Sequence, residues 1–138
     1  MKLDCHILHL DDDENDSFLF QRALTALKFG GTYKHIESVQ ETIHYLSGAK
    51  EFSDRHRYPV PDLLVLDSAL CSGKTTADLM NWLNGHGEFR KLLRVVLSGE
   101  INETERKKWL AHGITCVLEK GCTTEDMFKA AEEILRQE

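Results

Sequence analysis

Short apolar runs alternate with amphipathic stretches along the chain. Between the runs, apolar residues recur at the i, i+3, i+4, i+7 spacing of one helix face, as Ala23, Leu24 and Leu27 do. Residues 47–61 are polar and contain both prolines, which predicts a loop. The apolar runs, each of strand length, lie at residues 4–10, 33–37, 63–66, 94–97 and 115–118. The pattern predicts a β-α unit repeated five times.

This alternation favours an α/β fold in which a doubly wound, five-stranded parallel sheet is flanked by five helices. The run 63–66 is continuously apolar, as expected for a strand covered on both faces. We find no linker, repeat or low-complexity segment, and we therefore expect one domain spanning residues 1–138.

Three helix ends have recognisable signals. Gly30-Gly31 is expected to end the first helix, since glycine commonly follows a helix C-terminus. A charged helix is expected from about Asn102 to His112, followed by Gly113. Thr123 or Thr124 is a plausible N-cap of the last helix.

Composition and charge exclude several classes of protein. Hydrophobic residues make up 41% and charged residues 29% of the 138 residues, which is typical of a globular chain rather than a disordered one. The net charge of −6 argues against non-specific nucleic-acid binding, which needs a basic surface. No apolar run has the length of a membrane span, and Asp4 falls where a signal peptide would be apolar. We expect a soluble cytoplasmic protein with no direct nucleic-acid or membrane partner.

The cysteines and histidines do not form a recognisable metal motif. The four cysteines lack a CxxC pair, which favours structural thiols over zinc or redox roles. Cys5 and Cys116 lie in apolar runs, where cysteine is usually a small buried residue. His6 and His9 flank the first strand, and we expect them to be partly exposed edge residues.

Polar residues follow four of the apolar runs, at or next to the point where each run ends. They are Asp11-Asp12, Asp67, Ser98 and Lys120. Helix capping would explain any one of them, but parallel strands place all of their carboxyl ends at one edge, where ligands bind in doubly wound sheets. The neighbouring acids Asp13, Glu14 and Asp16 are interpreted as helix N-terminal residues that favour the dipole, and not as ligands.

The charges at that edge point to phosphoryl chemistry. Carboxylates about 4 Å apart repel by about 4 kcal/mol at an effective dielectric near 20, so the acids need a counterion. Mg²⁺ suits oxygen ligands of this kind, and Lys120 adds a second positive charge. A metal, an ammonium and a hydroxyl together stabilise a phosphoryl group. The central carboxylate can then act as the nucleophile and form an aspartyl-phosphate.

The residues around these positions resemble the receiver domains of bacterial two-component response regulators, the chemotaxis-regulator-like (CheY-like) superfamily with a flavodoxin-like fold. The resemblance covers nearly the whole chain, in the family's order and spacing. It is carried by Leu8-His9-Leu10-Asp11-Asp12-Asp13-Glu14-Asn15-Asp16, Pro61-Asp62-Leu63-Leu64-Val65-Leu66-Asp67, Val95-Val96-Leu97-Ser98-Gly99 and Val117-Leu118-Glu119-Lys120.

The resemblance implies a role for each site residue. Asp67 would accept a phosphoryl group from a histidine kinase or a histidine phosphotransfer protein. Asp12 and Asp67 would ligate Mg²⁺ directly, Asp11 would act through water, and the backbone carbonyl of Ala69 would complete the protein ligands. Ser98 would bond a phosphoryl oxygen, and Lys120 would pair with the phosphoryl group. Such a chain is a signalling domain that assists its own phosphorylation and dephosphorylation and then switches binding to a downstream protein, rather than an enzyme.

The sequence departs from the family at three places. After the acceptor, Cys71 stands at a position usually held by proline and Thr75 at one usually held by glycine. Gly121 replaces the proline that usually follows the lysine, and a cis non-proline bond costs about 2.5–4 kcal/mol, so we predict a trans Lys120–Gly121 bond. Val117 stands where the family often has a switching aromatic residue. The output surface is therefore expected elsewhere, with the helix containing Glu105, Lys107 and Trp109 as one candidate.

Two alternative functions stay open at this point. The altered acceptor loop and the missing proline would suit a degenerate receiver that binds partners independently of phosphorylation. The segment Ser72-Gly73-Lys74-Thr75 resembles the end of a nucleotide-binding P-loop, but Ser68 occupies the position of that motif's first glycine.

Overall fold

Five parallel strands form one sheet in the computed structural model, which describes residues 3–70, 73–121 and 123–137. The strands are paired in the order β2-β1-β3-β4-β5, and every pair is parallel. Their bounds are β1 (His6–Leu10), β2 (Thr32–Ile36), β3 (Leu63–Asp67), β4 (Leu93–Ser98) and β5 (Cys116–Glu119). The architecture confirms the predicted doubly wound fold, in which the strand order reverses between β1 and β3.

Five helices connect and cover the strands in the described part of the chain. Their bounds are α1 (Glu14–Ala26), α2 (Val39–Ser47), α3 (Thr76–Asn84), α4 (Glu103–Ala111) and α5 (Thr124–Arg136). Thr123 is the N-cap of α5 and forms a capping box with Asp126. The helix α4 agrees with the range predicted from about Asn102 to His112, and these two residues are its caps. The predicted loop 47–61 also contains a short 3₁₀ turn, Lys50–Ser53.

The two faces of the sheet bury separate apolar clusters. Leu64 and Leu66 of β3 pack into the cluster on the α2 and α3 side, and Leu63 and Val65 pack into the cluster on the α1 and α5 side. All four residues are fully buried, which confirms a central strand covered on both faces. The buried sheet therefore holds the residues at its strand ends in fixed relative positions.

The predicted end of the first helix is wrong. The helix α1 ends at Ala26 with Leu27 as its C-cap, and the left-handed residue that follows is Lys28, with φ of 61°. Gly31 has a different role, because a Cβ at this position would lie 1.9 Å from the carbonyl oxygen of Cys5. The absence of a side chain lets the chain entering β2 pass close to the start of β1.

The prediction of an exposed edge position is also wrong for His9. His6 is half-buried, but His9 is fully buried because β1 lies between β2 and β3, with Phe20 of α1 packed over it. Cys5 is buried and Cys116 is half-buried, in line with structural thiols, whereas Cys71 and Cys122 lie outside the described residues. None of the helices in the described part of the chain combines the length and apolar character of a membrane span.

Candidate metal and phosphoryl site

Three carboxylates meet at the carboxyl edge of the sheet. Asp11 and Asp12 follow β1, and Asp67 ends the adjacent strand β3. A carboxylate oxygen from each of the three lies within 4.8 Å of the others. We call Asp11, Asp12 and Asp67 the acid cluster. The neighbouring order β1–β3 brings these residues together although more than fifty positions separate them in sequence.

Lys120 reaches the same site from the end of β5. Its Nζ lies 3.1 Å from Asp11 Oδ2 and 3.4 Å from Asp67 Oδ1. Burial alone would lower the pKa of Lys120, but the hydrogen bond to Asp16 and the charges of Asp11 and Asp67 raise the net pKa above its ordinary value. The lysine therefore remains a cation at any physiological pH.

Asp16 is the closest of the acidic partners of Lys120, at 2.8 Å from Nζ to Oδ2. The sequence interpretation had assigned this residue only to the helix dipole. A usable signal was present: Asp16 precedes Phe20 by four residues, so both lie on the same face of α1. Because Phe20 is fully buried, that face is directed at the sheet, and its first turn meets the site.

Asp11 is held more tightly than a surface acid. Its Oδ1 accepts a hydrogen bond from the Asp13 backbone N–H at 2.9 Å. Burial raises the pKa of Asp11 to about 6, although the bond from Asp13 and the charge of Lys120 oppose the shift. The energy of placing a second negative charge beside Asp67 adds to the effect of burial. An additional cation here would lower the energy of the ionised carboxylate.

Two side chains line the interior next to Asp11. The imidazole of His35 donates from Nε2 to the Asp11 backbone oxygen at 2.6 Å. His9 Nε2 lies 3.6 Å from Asp11 Oδ2, and no hydrogen-bond partner reaches this atom among the described residues. Burial, helped by the nearby His35 and Lys120, lowers the pKa of His9 to about 3. This imidazole is therefore neutral.

The hydroxyl of Ser98 is engaged on the other side of the site. Ser98 Oγ donates toward the Glu100 backbone oxygen at 2.8 Å and toward Glu105 Oε1 at 3.1 Å. The acid cluster is not among the hydrogen-bond partners that the described structure gives this hydroxyl. Ser98 thus ends the neighbouring strand β4 as expected, but α4 and its preceding loop hold its side chain.

The loop that follows Asp67 is anchored at its first residues. The backbone N–H of Ala69 donates to Asp67 Oδ1 at 3.1 Å, and the Thr76 hydroxyl donates to the backbone oxygen of Asp67. Thr75, the residue at the usual glycine position, is the N-cap of α3. Cys71 and Ser72 lie outside the described residues. Ala69 and Asp67 line an open pocket of about 660 Å³ together with Asp12, Asp16 and Lys120.

The bond after Lys120 is trans, as predicted, since no cis peptide occurs in the described residues. Gly121 lies against the first turn of α5, where a Cβ would come within 2.0 Å of Asp126 Cβ. The glycine is therefore required by close packing. Three acidic side chains, rather than a rigid proline, direct the ammonium of Lys120.

The donor set fits a hard divalent cation. Three carboxylates with oxygens within 4.8 Å of each other can share one ion, and Mg²⁺ typically takes one or two carboxylates together with water and phosphate oxygens. Cysteine and histidine ligands, which favour zinc, are not part of any such group in the described residues. The pocket leaves room for a phosphoryl group beside the ammonium.

No family model matches the chain, and no curated protein is similar to it in sequence. Solved structures match it closely in fold. The phosphorylated cyanobacterial phytochrome response regulator RcpA is 22% identical with a TM-score of 0.83, and covers 95% of this chain and 91% of its own. The Mn²⁺-bound response regulator Rcp1 is 22% identical with a TM-score of 0.80, covering 94% and 91%. The chemotaxis regulator CheY4 of Vibrio cholerae is 14% identical with a TM-score of 0.73, covering 96% and 99%. The chain has the fold of response-regulator receiver domains.

Proposed function

We propose that this chain is a receiver domain that accepts a phosphoryl group on Asp67 in a Mg²⁺-dependent reaction. The observation that carries the proposal is the meeting of the acid cluster and Lys120, with Nζ 3.4 Å from Asp67 Oδ1. The carboxylate attacks phosphorus in a phosphohistidine, the P–N bond breaks, and its electron pair stays on the imidazole. The product is an acyl phosphate on Asp67.

The acid cluster and the backbone carbonyl of Ala69 would hold the cation. When bound, Mg²⁺ would neutralise charge on the transferring phosphoryl oxygens. The response regulator Rcp1, which has the same fold, was solved in a Mn²⁺-bound form, and this supports a divalent cation in the present chain. Asp11 is fully buried and is held by hydrogen bonds from Asp13 and Lys120. Its carboxylate would therefore present oxygen atoms to the cation in a fixed orientation.

Lys120 would transfer its contact from the carboxylates to a phosphoryl oxygen. Its Nζ already lies beside Asp67, so only a small rotation of a flexible side chain is required. Asp16 keeps the ammonium at the site while the other partners change. The lysine thus stabilises negative charge that develops next to the acceptor.

The output of the switch would pass through α4. Val117 is buried and cannot act as the rotating aromatic side chain of other receivers. Instead, Glu105 Oε1 accepts from Ser98 Oγ at 3.1 Å and from Trp109 Nε1 at 3.3 Å. If Ser98 turns to a phosphoryl oxygen, Glu105 loses one of these donors, and the contacts of α4 change.

We infer that the phosphodonor is a histidine kinase or a histidine phosphotransfer protein and that the receptor of the signal is a downstream protein. The chain would then act in a phosphorelay in the cytoplasm. Phosphorylation and dephosphorylation would be assisted by the site itself.

Amide NMR with beryllofluoride and Mg²⁺ tests the proposal. We expect shifts at amides near Asp67 and Lys120 in the wild type, and their loss in Asp67→Asn. Asp13→Asn is the matched control, since asparagine keeps the oxygen that caps α1 and the variant removes one nearby charge. An unresponsive wild type at millimolar acetyl phosphate or beryllofluoride would instead support the degenerate receiver that binds partners without phosphorylation.

A further inference from the structure

His9 is a polar residue in an aliphatic strand. Its neighbours Ile7, Leu8 and Leu10 form the apolar body of β1, and His9 itself is 0% exposed. Its ring lies among three others, with centroids 5.0 Å from Phe20, 5.9 Å from Tyr33 and 6.0 Å from His35. An aliphatic side chain would satisfy packing here without a buried polar atom. The imidazole therefore needs a reason other than packing.

The polar neighbours of the His9 ring indicate which nitrogen carries its proton. His9 Nδ1 lies 2.8 Å from the hydroxyl of Tyr33, which lies 2.8 Å from the Ser17 hydroxyl. Burial raises the pKa of Tyr33, so this hydroxyl keeps its proton. On the other side of the ring, Nε2 is 3.6 Å from Asp11 Oδ2. A carboxylate favours an N–H over a second lone pair, so the proton belongs on Nε2 and Tyr33 donates to Nδ1.

His9 is adjacent to the acid cluster without belonging to it. Nε2 has no hydrogen-bond partner among the described residues. The residues whose ligand atoms lie within 4.8 Å of one another are the acid cluster, and His9 is not included. The carboxylate oxygen of that cluster that lies beside His9 is Asp11 Oδ2, 3.6 Å from Nε2.

We propose that His9 is a positioning residue that donates a hydrogen bond from Nε2 to Asp11 Oδ2 and so fixes this carboxylate for a divalent cation. The present 3.6 Å is longer than a hydrogen bond, and an approach of roughly 0.5 Å would form one. The inference rests on the proposed function, because it assumes that Asp11 contributes to a cation site.

The need for such a donor follows from the contacts of Asp11. In this structure Oδ2 accepts from Lys120 Nζ at 3.1 Å, and Oδ1 accepts from the Asp13 N–H. When Lys120 turns to a phosphoryl oxygen, Oδ2 loses this donor. His9 lies on a strand, cannot leave the site, and supplies a replacement at the same oxygen. The carboxylate thus keeps its orientation through the reaction.

The test compares His9→Leu with His9→Gln. Leucine removes the donor, whereas the glutamine amide offers an N–H in a comparable place. Mn²⁺ affinity is measured by electron paramagnetic resonance titration, and Mg²⁺ affinity by competition. We expect His9→Leu to bind both ions about tenfold more weakly and His9→Gln to bind them nearly as the wild type does. His9→Leu also removes the acceptor of the Tyr33 hydroxyl, so a lower melting temperature of the metal-free variant is expected on that ground alone, and the affinity for the ions carries the test.

Two results separate this proposal from the one on which it rests. A wild type that binds neither ion overturns both. A wild type that binds them, with His9→Leu binding equally well, overturns only the role of His9, as does a fall in melting temperature with unchanged affinity. Ring nitrogen NMR gives a further readout in the metal-free protein: we expect the Nε2–H form, and the Nδ1–H form would overturn the assignment.

Discussion

Asp11 carries its charge at an energetic cost in the metal-free protein. Its pKa is about 6 in the folded state against an ordinary 3.8, with burial as the main cause. Below about pH 4 the group is neutral in both states and has no effect. Between about pH 4 and pH 6 the carboxyl is ionised in the unfolded state but still protonated in the folded state, and above pH 6 the folded state bears the full cost of the buried charge. The contribution of Asp11 to stability therefore falls with rising pH.

Replacing Asp11 by asparagine should remove this cost. We expect Asp11→Asn to raise the free energy of unfolding, relative to the wild type, by as much as about 2–3 kcal/mol at pH 7 and by far less at pH 4. Urea unfolding at a series of pH values without divalent cations measures the difference. Asp13→Asn gives the background for removing a neighbouring charge. A difference that stays constant from pH 4 to pH 7 would contradict the assignment.

The locations of the site residues were predictable where sequence position fixed spatial position. Four of these residues lie at or directly after strand ends, and parallel strands place their carboxyl ends at one edge: Asp11, Asp12, Asp67 and Lys120. The contact of Asp16 with Lys120 depends on the rotation of α1 about its axis, which the residues after Phe20 indicate only indirectly. The burial of His9 depends on which strand lies beside β1, and strand order has no local signal in the chain.

At the scale of elements, Gly121 shows how a departure from a familiar pattern can have its own structural reason. The first turn of α5 packs directly on this residue, and a Cβ would come within 2.5 Å of Asp126 Cγ. Asp126 is also part of the capping box of α5, so displacing it weakens the start of the helix.

We expect Gly121→Ala to lower the free energy of unfolding by about 1–3 kcal/mol through overpacking. Chemical denaturation measures this free energy of unfolding for the wild type and the variant. Gly87→Ala is the matched control, since no atom lies within 4 Å of a Cβ built at Gly87. Equal stability of the two variants would show that α5 can shift without loss.

The coupling of Ser98 to α4 gives a second prediction at this scale. Trp109 is buried and donates to Glu105, so a change at Glu105 alters the surroundings of the indole. In a Trp82→Phe background, beryllofluoride with Mg²⁺ should change the emission of Trp109. Glu105→Ala should abolish most of this change, because Ser98 and Trp109 no longer share an acceptor.

Glu103→Ala is the control for this measurement, because Glu103 is an exposed residue of the same helix turn. An emission change that survives in Glu105→Ala would show that the signal leaves the site by another route.

Hydrophobic periodicity predicts the order of the helices and strands correctly, but it predicts the residues at which they begin and end less well. The spacing of apolar residues from Phe20 onward predicts α1. The helix nevertheless begins at Glu14, because Asp13 caps it and acidic residues occupy its first turn. Glycine at 30 and 31 suggested a helix end, yet Lys28 adopts the left-handed conformation. Tertiary contacts decide which residue ends a helix and where a glycine is required, as the close approach of Gly31 to Cys5 illustrates.

At the scale of the whole molecule, a bound cation should stabilise the fold. The acid cluster spans two central strands, β1 and β3, so an ion held by it binds the folded state only. At a concentration one hundred times its dissociation constant, the ion would add about 2.7 kcal/mol. We expect a rise in melting temperature of roughly 5–10 °C by differential scanning calorimetry.

Potassium chloride at matched ionic strength is the control for that experiment. The rise should be much smaller in Asp67→Asn, which removes one of the three carboxylates. An equal rise with potassium would show that general screening of the negative chain, and not a specific ion, stabilises it.

The crowding of acids around a single ammonium has a kinetic corollary. Without a divalent ion, Lys120 is the cation shared by Asp11, Asp16 and Asp67. The excess negative charge of these carboxylates repels an incoming phosphoryl dianion. If the chain is phosphorylated as proposed, the metal should therefore bind before the phosphodonor. Phosphorylation by a small donor should accordingly be absent in excess EDTA and should begin when Mg²⁺ is added, so the supply of the ion would limit the signal.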